Sequence, residues 1–288
     1  MTDLVGKMRD GARRYATLTD QASRTMVRAE VLHLLDQLEL GDPGKPHVRR
    51  VEPSELASSA MLRGAVIMQL DLVFRASVSA SEIAFTAERG ILRVAEHRLV
   101  GGFPIGVVLA QPTNRLVRHR KELFRDDAPT LGDSPVVMPY ALAASPPRLG
   151  AGAGLLRAVV ADCAAFDSPS RVVTFSPLTG MRARVIRLVD DSSAWAASAE
   201  AHPAFDEDAT RSQLLDLLEI SALDAPLPEP ARSWLAVESR LFAESHSYGV
   251  GNFHRRMGAS LAGLTEAADP QDSDAMWARA YFDYGDLR

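Results

Sequence analysis

The sequence predicts an α+β fold, with a helical N-terminal region over residues 1–78 and a mixed sheet with flanking helices over residues 79–288. Three observations predict it. Apolar residues recur at helical spacing up to Val78. Short β-rich runs separated by glycine follow. The stretch "SPVVMPYALAASPPRLGAGAGLLRAVVADCAAF" then passes from a strand through a proline break and a glycine-rich turn into a helix.

Taken in order, "DQASRTMVRAEVLHLLDQLE" reads as an amphipathic helix, with Met26, Val27, Val31, Leu34, Leu35 and Leu38 close to the helical period. Asp20 is its expected N-cap, and "GDPGKP" its stop. "EPSELASSAMLRGAVIMQLDLVF" reads as a second helix that starts near Pro53 and Ser54. "EIAFTAE", "ILRVAEHRLV" and "PIGVVLAQP" read as strands, and "RLVRHRKELF" as a basic helix. A helix is expected from about Leu155 to Ala165, then "RVVTFSPLTGMRARVIRL" as a strand that runs into a loop. The remaining elements are a charged helix around "TRSQLLDLLEIS", a proline linker "DAPLPEP", the long helix "ARSWLAVESRLFAES" and a final aromatic strand in "AMWARAYFDYG". No internal repeat is visible.

The bulk numbers exclude several function classes. The chain has 288 residues, 47% of them hydrophobic, with a net charge of -5. Nothing in this balance draws nucleic acid or an anionic membrane surface. No window reaches the about 18 apolar residues of a membrane helix, and the N-terminus lacks an apolar signal core, so a soluble protein is expected. The one cysteine, Cys163, lies in an apolar helical run and reads as a small core residue. A chain with one cysteine forms no internal disulfide, which suits a reducing cytoplasm. His33, His47, His97, His119, His202 and His246 are scattered without ligand spacing, so no metal site is expected. The run Arg118, His119, Arg120 and Lys121 reads as a solvated face.

Three constellations carry chemistry. In "RLGAGAGLLRAVV", Gly150, Gly152 and Gly154 stand just before the expected helix, where free backbone N–H groups and the helix dipole favour a phosphate or pyrophosphate. The spacing is neither the dinucleotide-binding nor the P-loop pattern, and a plain Ala/Gly helix entry remains the bland reading. In "TFSPLTG", Ser176 precedes proline and is therefore expected to be extended at a strand end. It lacks the G-x-S-x-G context of a hydrolase nucleophile. In "VGNFHRRMGA", His254 follows a glycine-bearing turn and reads either as a proton donor or as a surface side chain at a strand start.

The series "RLGAGAGLLRAVV", "VTFSPLTGM", "VGNFHRRMGASLAGLTEAAD" and "ARAYFDYG" resembles, in order and approximate spacing, the C-terminal domain of the malonyl-CoA decarboxylases. "GFPIGVVLAQPTN" is similar to an earlier strand of that family, more weakly. The resemblance covers roughly residues 130 to 288 and implies a GNAT-like (acetyltransferase-type) sheet. It also implies Ser176 and His254 as active-site serine and histidine, and Tyr284 as the tyrosine of the last strand, with Tyr281 the alternative register. Asn252 matches an asparagine two places before the histidine and is grouped with the three glycines as a coenzyme A contact. The chain departs from the family at Gly150, where the family carries a glutamate that supports the histidine, and in a much shorter N-terminal region.

The reaction so implied is decarboxylation of a malonyl or methylmalonyl thioester of coenzyme A or an acyl carrier protein, without a prosthetic group or metal. Neither nucleic acid nor membrane is an expected partner, and a homo-oligomer is possible on this reading. Two other readings stay open: an acyltransferase of the same fold, with His254 or Tyr284 as acid or base, and a catalytically silent acyl-CoA binding protein.

Overall fold

The computed structural model describes residues 2–37, 46–73, 78–145, 150–166, 170–201, 206–221, 225–266 and 272–285. Contacts group the chain into two compact units, residues 1–115 with 126–172, and residues 116–125 with 173–288. The expected boundary near residue 78 falls inside the first unit. Seven strands run in the order β1-β2-β3-β4-β5-β7-β6, all pairs antiparallel except β4 with β5. This mixed sheet with flanking helices is the predicted class.

The first unit opens with a helix that the sequence reading did not single out, α1 (Thr2–Tyr15), which buries Met8, Ala12 and Tyr15 on one face. α2 (Gln21–Gln37) is capped as expected, Ser23 N–H donating to Asp20 Oδ1 at 2.8 Å. Its buried stripe is Val27, Val31, Leu34 and Leu35. Met26 is 70% exposed, because it sits beside that stripe and not on it. Leu38 and most of the expected stop "GDPGKP" lie outside the described residues, as does His202.

After the edge strand β1 (His47–Arg50), the expected second helix is two helices, α3 (Pro53–Ser58) and α4 (Ala60–Val73). Ser59 is extended (φ -104°, ψ 100°) and breaks the run. "EIAFTAE" is not a strand but most of α5 (Ala80–Arg89). Ser79 accepts from Glu82 N–H, and the Glu82 carboxylate accepts from Ser79 N–H. That capping box starts a helix whose buried Ile83, Thr86 and Ala87 keep helical spacing, which outweighs the β propensity of the run.

β2 (Ile91–Glu96), β3 (Pro104–Thr113) and β4 (Val136–Ala144) follow, and all ten residues of β3 are buried. α6 (Ala151–Ala164) carries the chain from β4 to β5 (Arg171–Pro177), as parallel pairing requires a crossover. Cys163 is buried on α6 as expected, and burial pushes its thiol up to about 12. The basic stretch "RLVRHRKELF" forms only a 3-10 turn over Arg120–Phe124. The Glu122 carboxylate takes the N–H groups of Arg118 and His119, which fixes a tight cap in place of a longer helix.

In the second unit β5 pairs with β7 (Ala278–Asp283), which pairs with β6 (Ser260–Glu266). The segment expected to be a loop after Pro177 is α7 (Met181–Asp190), which buries Met181, Val185 and Val189. α8 (Ser192–Ala201), α9 (Glu207–Glu219) and α10 (Ala231–Glu244) follow, then α11 (Gly249–Arg256). No helix among the described residues is long and apolar enough to cross a membrane.

Candidate active site

Ser176 lies one residue before the end of β5, opposite Ala280 of β7, extended as its proline neighbour dictates. His254 is on α11, a helix and not a strand start, and is 3% exposed. Tyr284 follows β7 and is buried. The three side chains form one chain of hydrogen bonds: Ser176 Oγ is 3.0 Å from His254 Nε2, and His254 Nδ1 is 2.5 Å from the Tyr284 hydroxyl. The imidazole stacks on Phe282, with centroids 4.7 Å apart and planes at 21°.

Tyr281 is elsewhere. It points to the opposite face of β7, stacks on Phe175 at 5.6 Å, and its hydroxyl donates to the carbonyl of Val117 at 2.6 Å. Phe282, the next residue on β7, stacks on the histidine, so strand alternation turns Tyr281 to the other face.

Hydrogen-bond accounting fixes the direction of the chain. Burial pushes the Tyr284 phenol up from its ordinary value, so it keeps its proton. Among the described residues its hydroxyl has one partner, His254 Nδ1. A buried O–H that donates to nothing is costly, about 1–3 kcal/mol, so Tyr284 donates to Nδ1. Burial holds His254 at about 4, and the ring is neutral at physiological pH. A neutral ring that accepts at Nδ1 carries its proton on Nε2. Nε2–H therefore donates to Ser176 Oγ, and the serine's own proton is left for a third group.

This is the reverse of a Ser–His nucleophile pair, in which Nε2 must accept from the serine. A serine hydroxyl so placed can donate a hydrogen bond to an anion or to an oxygen gaining charge. Burial holds the His254 ring below the neutral range that suits a general acid.

The other expected site residues lie as follows. Asn252 donates to the carbonyl of His246 and accepts from Arg255 Nη2 at 2.8 Å, so its amide is engaged within and around α11. Gly150 is the N-cap of α6 with φ +65°, a conformation that favours glycine. Gly152 and Gly154 are not before the helix but in its first turn, because α6 starts at Ala151. Residues 146–149 of the preceding turn lie outside the described residues. Phe282, in the aromatic run "ARAYFDYG", carries no motif that marks it as a site residue. Strand alternation, which puts it on the same face as Ala280 opposite Ser176, was the available signal.

No protein-family model matches this sequence, and no curated protein matches it. Solved structures do match. Malonyl-CoA decarboxylase from Rhodopseudomonas palustris superposes with a TM-score of 0.66 at 16% identity, covering 99% of this chain and 70% of that one. The chain has the malonyl-CoA decarboxylase fold. The decarboxylase from Agrobacterium vitis gives 0.61 at 18% identity, over 92% of this chain and 66% of that one. The loading GNATL domain of CurA from Lyngbya majuscula gives 0.50 at 14%, over 84% and 98%. On this decarboxylase fold the chain's own residues supply the Tyr284–His254–Ser176 series.

The two tyrosines give a direct test of that series. Tyr284→Phe is expected to lower turnover of a malonyl thioester about tenfold or more, since Nδ1 loses its donor and the ring is freed to carry its proton there. Tyr281→Phe should change turnover less than threefold, because its hydroxyl serves Val117 (both magnitudes by analogy with acid–base and positioning effects). Steady-state rates of both variants decide it, and the reverse order would assign the site to Tyr281.

Proposed function

We propose that this chain decarboxylates a malonyl or methylmalonyl thioester, carried by coenzyme A or an acyl carrier protein, and releases carbon dioxide and the shortened acyl thioester. One observation carries the reading: the hydrogen-bonded series Tyr284–His254–Ser176, whose outward donor direction follows from the burial of the phenol and the imidazole. When the bond between the carboxylate carbon and the α-carbon breaks, its electron pair moves into the thioester and leaves an enolate. Ser176 O–H donates to the oxygen on which that charge gathers. Nε2–H of His254 polarises Ser176, and Tyr284 holds the ring in the donating tautomer. The α-carbon then takes one proton from solvent, so the products are carbon dioxide and the acyl thioester. Gly150 and the first turn of α6 are the proposed contact for the coenzyme A pyrophosphate.

An acyltransferase needs a base that takes a proton from the acceptor, and a neutral ring with its proton already on Nε2 is poorly placed for it. A silent acyl-CoA binder would have no use for a donor series that ends on a half-buried serine. Incubation with malonyl-CoA, methylmalonyl-CoA and malonyl carrier protein, without an acceptor, tests the proposal. We expect carbon dioxide and the matching acyl thioester from at least one of them. Consumption only after an amine or hydroxyl acceptor is added would favour the acyltransferase. Binding without any turnover would favour the binder.

A further inference from the structure

We infer that Tyr248 is the positioning residue that sets the Ser176–His254 hydrogen bond, an inference that rests on the decarboxylase reading for its effect on rate. Tyr248 is fully buried and touches both carriers of that bond. It is the N-cap residue of α11, whose Asn252 N–H donates to the Tyr248 carbonyl at 2.9 Å, and α11 carries His254. Its hydroxyl donates at 2.8 Å to the carbonyl of Pro177, the residue that follows Ser176 on β5. Its ring stacks on Phe282, with centroids 6.2 Å apart, and the Phe282 ring also supports His254. Phe242 packs against the Tyr248 ring at 5.4 Å.

The local sequence is cut to admit this ring. A Cβ on Gly251 would lie 2.4 Å from Tyr248 Cδ1, so only glycine lets the ring lie along the first turn of α11. Glycine inside so short a helix is unfavourable on propensity, and the close approach is what it provides. Pro177 has no N–H with which to anchor the chain after Ser176. Its carbonyl is held instead, by Thr179 N–H and by the Tyr248 hydroxyl, both at 2.8 Å. One side chain therefore fixes the start of the histidine's helix against the end of the serine's strand. A hydrogen bond of 3.0 Å tolerates a drift of only about half an ångström before it is lost.

Tyr248→Phe keeps the ring and removes only the bond to Pro177. We expect kcat on the malonyl thioester to fall about tenfold with KM within twofold, as misplacement of a catalytic pair lowers turnover more than binding. The second readout does not depend on turnover: the ¹⁵N resonances of the His254 ring. In Tyr248→Phe the Nε2 resonance should move in the same direction as in Ser176→Ala, which removes the acceptor outright. Leu214→Ala, a core truncation on α9 that also lowers thermal stability, should leave it in place. Unchanged His254 resonances in Tyr248→Phe would overturn the inference. If Tyr248→Phe does not fold, Gly251→Ala, which displaces the ring, must shift the same resonance or the inference falls. A protein that turns over no malonyl thioester yet shows the resonance shift would overturn the decarboxylase reading and support the positioning role.

Discussion

His254→Ala and Ser176→Ala are each expected to lower turnover of the malonyl thioester about a hundredfold or more, within the 10² to 10⁴ that positioned acid–base groups contribute. A hundredfold corresponds to about 2.7 kcal/mol of barrier. The double variant should lose little beyond either single one. The two residues act through one hydrogen bond, so once the serine has lost its donor the imidazole has nothing to polarise, and the reverse holds as well. Affinity for a non-reactive malonyl thioester should change far less, since the bond matters most when charge moves onto the thioester oxygen. Thermal unfolding must be followed alongside, because Ser176→Ala leaves a buried Nε2–H without its acceptor, at about 1–3 kcal/mol. Losses that multiply in the double variant would place the two side chains in separate roles and remove the basis of the donor chain.

The conformation of Ser176 was legible from local sequence, whereas the grouping of Ser176, His254 and Tyr284 came from the family resemblance. Proline after Ser176 announces an extended residue at a strand end, and β5 ends there. His254 was legible as a residue but not as a position. Gly249 and Gly251 argue for a turn, yet α11 forms there with the Tyr248 ring packed over Gly251. The partner of the Tyr248 hydroxyl, Pro177, is 71 residues away, and no local pattern reports it. "EIAFTAE" is the opposite case: its β-rich composition argues for a strand, while the local helix signal lies in Ser79 just before it and Glu82 at its start. The helix after Gly180 was missed because its N-cap is a glycine in the left-handed region, which carries no side-chain capping signal. Tyr284 and Tyr281 were separable only through strand register, which a sequence with an uncertain turn before the strand does not define.

Acid should unfold this protein through His254. Burial lowers its pKa from 6.5 to about 4 in the folded state, while the unfolded chain titrates near 6.5. Between those values the unfolded state binds more protons, so folding stability rises with pH. The contribution is fully present above about pH 6.5 and is lost as pH falls toward 4, reaching roughly 3 kcal/mol. Urea unfolding from pH 7.5 to 4 should show that loss for the unsubstituted protein relative to His254→Gln, in which every other titrating group is kept. Equal slopes would mean that His254 is not buried in its neutral form. Turnover gives the complementary sign. If the neutral ring, with its proton on Nε2, is the working form, the rate per folded molecule stays level from pH 8 to about 5 and falls only as the imidazolium appears near 4. An imidazolium acting as the acid would instead make the rate climb as pH drops through 7. Such a climb would reverse the direction of the Tyr284–His254–Ser176 chain, and the role of Ser176 as donor would go with it.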